Sequence, residues 1–220
     1  MPPAPAALPA AVLFDMDGTV VDTEPYWIAA ETDLVAAYGG TWTHDDGMLL
    51  VGRALLDSAA ILIEHSPVTL TPEQVVDRLV AGVGARLAEQ VPWRPGALEL
   101  LRELRALGVP TALVTMSYRS LTDLLEAALP EPLFDVVVTG DEVSRGKPDP
   151  EPYLRAAELL DADPAACVAI EDSETGVRSA VAAGCRTLAV PHVLPVSANA
   201  GAVHVPSLAG VAAADLLTLA

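Results

Sequence analysis

The chain is almost devoid of lysine: among 12 basic residues, Lys147 is the single lysine and the rest are arginine. A basic surface is absent too, because 30 Asp and Glu residues leave a formal charge of −18. That balance excludes nucleic acid as a partner, since its binders need a cationic face to displace counterions from phosphates. No uninterrupted apolar run reaches the length that crosses a bilayer, so no membrane partner is expected. Met1 to Ala10 is rich in Pro and Ala but has no basic residue, and so lacks the charged start of a secretory signal; it reads as a frayed extension. Cys167 and Cys185 are too few for a disulfide framework, and each sits in or beside an apolar strand where a buried thiol is the default. A cytoplasmic location is the resulting expectation.

What is present is a chain of 220 residues, 52% hydrophobic, able to bury one substantial core plus a smaller subdomain. Strand-like runs at 11–15, 110–115, 134–139, 166–171 and 185–190 alternate with helical patterns at 96–107, 117–129, 150–160, 174–183 and 207–217. Such alternation implies an α/β fold with a parallel sheet wrapped by helices. Gly108 and Pro150 stand where helix-ending and helix-starting residues belong. Between about Thr23 and Val91 the pattern changes to helices without convincing strands, at 25–38, 54–64 and 72–90. The expected division is therefore 1–22 plus 92–220 as the α/β core, with 23–91 as a helical insertion.

Asp15-Met16-Asp17-Gly18-Thr19 follows directly on the apolar run Ala11-Val12-Leu13-Phe14, so two carboxylates two residues apart stand where a buried strand gives way to a loop. On extended chain they point to the same side, and two ionised carboxylates that close raise at least one pKa. A bound cation removes the conflict, and magnesium suits it as a hard ion that takes oxygen ligands and keeps places for water and phosphate. Gly18 lets the backbone turn sharply there. Lys147 lies in Arg145-Gly146-Lys147-Pro148-Asp149-Pro150. It is either a solvated loop charge or, as a compact point charge, a partner for a phosphoryl group and a nearby carboxylate. Thr115 ends a strand-like run with Ser117 at the next helix start; Thr115 is a cap, a turn residue or a donor to phosphate. Cys167-Val168-Ala169-Ile170 runs into Glu171-Asp172, which either cap the following helix or finish a metal site beside Asp15.

Phe14-Asp15-Met16-Asp17-Gly18-Thr19 followed by Val20-Val21-Asp22-Thr23-Glu24-Pro25, Thr115, Gly146-Lys147-Pro148-Asp149-Pro150 and Glu171-Asp172 stand in the order of the four motifs of the haloacid dehalogenase-like hydrolases, which the chain resembles from about Val12 to Val190. The resemblance implies a Rossmann-like doubly wound core with an inserted all-helical cap that closes over the site. It implies Asp15 as nucleophile toward a phosphoryl group and Asp17 as acid and base whose carbonyl also binds Mg2+. Thr115 and Lys147 would hold the phosphoryl, and Asp172, with Glu171 directly or through water, would complete the metal shell. Gly18, Met116, Ser117 and Arg53 are the further substrate-binding candidates; Arg53 is equally well a surface arginine at a helix start.

Departures from the family narrow the function. Trp27 stands where the related beta-phosphoglucomutases have histidine, and no lysine lies in the insertion to assist a mutase or form a Schiff base. Met116 replaces a frequent asparagine. Trp27 is a pocket wall or packing between cap and core, with packing favoured. The four histidines, His44, His65, His192 and His204, lack ligand-like spacing, and Asp45-Asp46 reads as a solvated loop. The expected function is a magnesium-dependent phosphatase of a small phosphorylated metabolite: a sugar, polyol or glycolate phosphate. The alternatives are a sugar phosphomutase and a catalytically silent phosphometabolite-binding regulator.

Overall fold

The computed structural model describes residues 8–219. Six parallel strands make one sheet: β1 (Val12–Phe14), β2 (Thr111–Val114), β3 (Val136–Val138), β4 (Val168–Glu171), β5 (Arg186–Ala189) and β6 (Val203–His204), in the order β3-β2-β1-β4-β5-β6. Helices α1 (Glu24–Ala37), α2 (His44–Met48), α3 (Leu55–Glu64) and α4 (Pro72–Glu89) all fall between β1 and β2. Then α5 (Ala97–Ala106) leads into β2, and α6 (Arg119–Ala128), α7 (Glu151–Leu159), α8 (Glu174–Ala182) and α9 (Leu216–Leu219) follow that strand.

The central strands β1, β2 and β4 are buried on both faces, and alternate side chains sort into two cores. Val12, Phe14, Leu113 and Ile170 join Leu100, Leu101, Leu104, Leu121 and Leu125 on one side, where Phe14 meets Phe134 edge to face at 6.4 Å. Leu13, Ala112, Val114 and Ala169 join Tyr153, Ala156, Ala157 and Ala180 on the other. The order reverses direction between β1 and β4, the place in an open α/β sheet where ligands bind beyond the strand ends. Asp15 leaves β1 at that point and Glu171-Asp172 leaves β4.

In the insertion, Val75, Leu79, Val83 and Leu87 recur every four residues, giving α4 an apolar stripe that packs against α1, α3 and α6. Its start is fixed by a capping box between Thr71 and Gln74. The two connections run alongside one another: Asp22 N–H donates to Pro92 O at 2.8 Å and Arg94 N–H to Val20 O at 2.9 Å. His192, from the loop after β5, bonds Asp22 and Arg94, both at 2.8 Å.

Three expectations need correction. The helix expected at 207–217 is absent; Gly210 takes a positive φ of 82°, and only a 3-10 turn at Ala213–Asp215 and the short α9 form. That turn begins at Ala212, which is extended and donates its N–H to Asp215. Asp45-Asp46 belongs to α2 rather than a loop, because Thr43 and Asp46 close a reciprocal capping box. Of the expected N-terminal extension, 1–7 lie outside the described residues, but Pro9 is already buried and Ala10 N–H donates to Ala166 O at 2.9 Å.

Glu31 was not singled out from sequence. It is 4% exposed on α1 and accepts a 3.0 Å hydrogen bond from the Trp42 indole. Burial pushes its carboxyl up to about 8; the Trp42 bond opposes the shift and Glu24 adds to it. The folded chain therefore binds a proton that the unfolded chain releases near pH 4.5, so this group's stabilisation is fully present below about 4.5 and is lost as pH rises toward 8. Glu31→Gln keeps an acceptor for Trp42 and removes the penalty. Thermal unfolding should find this variant more stable than wild type at pH 8, by on the order of a few kcal/mol, and equal to it at pH 4.5. A constant difference across that range would refute the assignment.

Candidate active site

Lys147 organises the site. Its ammonium sits between strand ends, 5% exposed, and donates to Asp15 Oδ1 at 2.7 Å, to Glu171 Oε1 at 2.5 Å and to the Val114 carbonyl at 2.9 Å. The Tyr153 ring lies 5.1 Å away, and the Tyr153 hydroxyl donates to the same Glu171 oxygen at 2.7 Å. Burial works against the ammonium, but Asp15 and Glu171 outweigh it and hold its pKa above the usual lysine value. The other Glu171 oxygen accepts from the Ser173 hydroxyl and amide at 3.1 and 3.4 Å. Gly176 packs so closely on this carboxylate that a Cβ there would overlap it.

Asp15, Glu171 and Asp172 each bring a carboxylate oxygen within 4.8 Å of the others. Three acids thus share one ammonium. Burial pushes Asp15 up to about 8; Lys147 opposes the shift, while Glu171 and Asp17 add to it. Asp172 is raised well above the carboxylate range by burial, with Asp15 and Glu171 contributing. Asp15 Oδ2 is buried without a hydrogen-bond partner, and no hydrogen bond reaches the Asp172 carboxylate among the described residues. An uncompensated acid cluster with an orphaned oxygen has the donor set of a divalent-cation site. Glu171 is the least available member, since both its oxygens already accept hydrogen bonds.

Asp17 is held differently. Its Oδ1 accepts from the Thr23 hydroxyl and, at 3.4 Å, from the Trp27 indole. Its Oδ2 accepts from Ser117 Oγ at 2.7 Å and Thr115 Oγ1 at 3.2 Å. Four donors from two segments, 23–27 and 115–117, fix its orientation. Thr23 belongs to the first motif, and Trp27 packs against the core as expected while its ring also lines the cleft and its polar edge turns to Asp17. Hydrophobic pattern cannot reveal an indole N–H that reaches back across a loop.

The cleft above these groups brings together Asp15, Asp17, Gly18, Thr115, Met116, Ser117, Lys147, Asp172 and Arg53. Glu171 lies beneath its floor, fully buried. Gly18, at φ 85°, passes so near Asp172 that a Cβ would collide with its carboxylate. The Met116 thioether accepts the Lys147 backbone N–H at 3.4 Å and packs on Gly146, steadying the lysine loop. Arg53 is exposed, with its Nε donating to Leu49 O at 2.8 Å. Beside it, Gly52 O accepts from the Thr175 hydroxyl at 3.1 Å, joining the insertion to the start of α8.

A strand-end carboxylate, a buried lysine and an acid cluster at the reversal point of a parallel sheet define an α/β enzyme of the hydrolase class. The sequence model of the haloacid dehalogenase-like hydrolases matches residues 9–184, and the chain belongs to that family. It is 34% identical over 186 residues to the phosphorylated carbohydrates phosphatase of Thermotoga maritima, covering 84% of this chain and 86% of that one. It is 32% identical over 189 residues to the bifunctional riboflavin kinase/FMN phosphatase of Arabidopsis thaliana, with 84% of this chain covered; the match spans 49% of that longer protein. The crystal structure of CbbY from Rhodobacter sphaeroides in complex with phosphate superposes with a TM-score of 0.86 at 30% identity, covering 95% of this chain and 100% of that one.

Removing Lys147 strands buried acids without a counter-charge. Lys147→Met should lower the stability of the cation-free protein by about 3–5 kcal/mol in urea unfolding. A loss below about 1 kcal/mol would show that the ammonium is not the charge that holds Asp15 and Glu171 together.

Proposed function

We propose that the chain is a magnesium-dependent phosphatase that hydrolyses a small phosphorylated metabolite, a sugar, polyol or glycolate phosphate, through a phosphoryl-Asp15 intermediate. The observation that carries this reading is the Asp15 carboxylate, which lines the cleft: one oxygen is anchored by Lys147, while the other is buried with no hydrogen-bond partner among the described residues. A carboxylate is a weak nucleophile toward an anion, so neighbouring positive charge must screen the approach. Magnesium, held by Asp15, Asp172 and the Asp17 carbonyl with Glu171 in support, supplies that charge when bound.

Asp15 attacks phosphorus in line as the bond to the leaving oxygen breaks. Asp17 delivers its proton to that oxygen. It then takes a proton from water, which attacks phosphorus, releases phosphate and restores Asp15. Thr23, Trp27, Thr115 and Ser117 aim Asp17, and the positive charge of Lys147 draws the phosphoryl group toward Asp15. Residues 23–91 act as a cap over residues 1–22 and 92–220, hinged where the two connections run side by side. Closure excludes water from the first step. Arg53 at the rim, beside the Gly52–Thr175 contact, grips anionic oxygen. The buried thiols Cys167 and Cys185 suit a reducing compartment, and we place the enzyme in the cytoplasm.

Phosphate release from a panel of sugar, polyol and short-acid phosphates tests this reading. Turnover should require magnesium, vanish with a chelator and fall at least about 10³-fold in Asp15→Asn. Release that survives Asp15→Asn would overturn the nucleophile. Isomerised product without net release would mark a mutase instead, and neither product from any ester would turn the reading to a silent binder.

A further inference from the structure

The cleft is asymmetric in charge. Lys147 and the acid cluster that calls for a cation lie at its floor, whereas Glu24 and Glu31, both on α1, line its insertion side. Neither of these two glutamates forms an ion pair among the described residues. Glu31 is the more telling. It is 4% exposed, its Oε2 accepts from Trp42, and its Oε1 has no hydrogen-bond partner among the described residues. The lining it shares on the insertion side includes Leu50, Leu55, Leu79 and Trp27, together with Ser58.

A carboxylate this buried is costly to leave charged and unpaired, and Trp42 satisfies only one of its oxygens. Glu24 is a second acid nearby, which adds to the penalty. Arg53, the cation of the insertion that lines the cleft, is exposed and bonded to the Leu49 carbonyl instead. A structural role alone would be served by glutamine, which gives Trp42 the same acceptor without charge. The feature that glutamine lacks is a carboxyl group that can give up its proton and pair with a cation.

We propose that Glu31, supported by Glu24 and the Trp27 ring, is the specificity residue for an ammonium group on the leaving portion of the substrate, so that the preferred ester is an aminoalkyl or amino-sugar phosphate. This inference rests on the phosphatase reading of the floor. Such a substrate is zwitterionic, with the phosphoryl toward Lys147 and the amine toward α1. It also approaches an acidic protein with less repulsion than a plain phosphate monoester does.

The test compares matched esters that differ only in amine against hydroxyl: glucosamine 6-phosphate with glucose 6-phosphate, and ethanolamine phosphate with ethylene glycol monophosphate. In wild type, kcat/KM for the amine member of the better pair should exceed that of its hydroxyl partner by about tenfold or more, the range of a charge-assisted hydrogen bond. Glu31→Gln should bring the ratio close to one, chiefly through KM, and Glu31→Asp, which keeps the charge, should leave the amine preferred. A wild-type preference for hydroxyl in both pairs, or a ratio unchanged in Glu31→Gln, overturns the proposal. p-Nitrophenyl phosphate, hydrolysed by wild type and not by Asp15→Asn, reports separately on the floor. If it and all four esters fail, the phosphatase reading falls, and calorimetric binding of the same esters to wild type and Glu31→Gln still decides the role of Glu31. Tighter binding of the amine member, lost in the variant, supports that role, and equal binding rejects it.

Discussion

One ammonium group, buried beneath the ends of β1, β2 and β4, is the contact on which the site depends. Lys147 reaches Asp15, Glu171 and the Val114 carbonyl, so a single side chain ties together the three strands that flank the reversal in strand order. It gives the buried Asp15 carboxylate part of the countercharge it needs and fixes one of its oxygens. Tyr153, from the opposite core, secures Glu171 from below. Lysine suits this place because three donors radiate from one point; the planar fork of arginine could not meet two carboxylates and a carbonyl arranged around it. The balance is still incomplete, with three carboxylates against one ammonium, and that shortfall calls for a cation.

Asp15 and Asp17 illustrate how environment separates two acids in one motif. Asp15 is buried and has an oxygen without a partner, whereas Asp17 accepts four hydrogen bonds from hydroxyls and an indole. The first keeps an oxygen unbonded among the described residues and the second is held in one orientation. The Asp17 orientation needs the insertion as well as the core, because Thr23 and Trp27 lie at or beyond the first connection. Asp22, His192 and Arg94 link the two connections to the loop after β5, so the same short segment positions Asp17 and joins the helical layer to the sheet.

Much of this was legible in the sequence for a chemical reason. Paired acids after an apolar strand, a solitary lysine and adjacent acids after another strand are poor choices for packing, so their positions announce chemistry. The parallel sheet was legible from the alternation of strand and helix patterns. Hidden features depend on side chains that reach across the chain: Trp27 to Asp17, Trp42 to Glu31, Ser117 to Asp17. β6 was missed because two exposed residues, Val203 and His204, carry no periodic signal. The expected helix at 207–217 had an apolar pattern, but Gly210 and the Asp215 turn broke it. α2 is encoded by the capping spacing of Thr43-His44-Asp45-Asp46, but at five residues it is too short to carry a periodic signal.

The central claim is that phosphorus is transferred to Asp15 before it reaches water. Acid quenching during turnover, borohydride reduction and peptide mass spectrometry test it directly, because an acyl phosphate is reduced and a free carboxylate is not. The account predicts homoserine at position 15 and unmodified Asp17 and Asp172, with labelling that depends on magnesium and substrate. Unmodified Asp15 under conditions of rapid phosphate release, or homoserine at position 17 or 172, would contradict it.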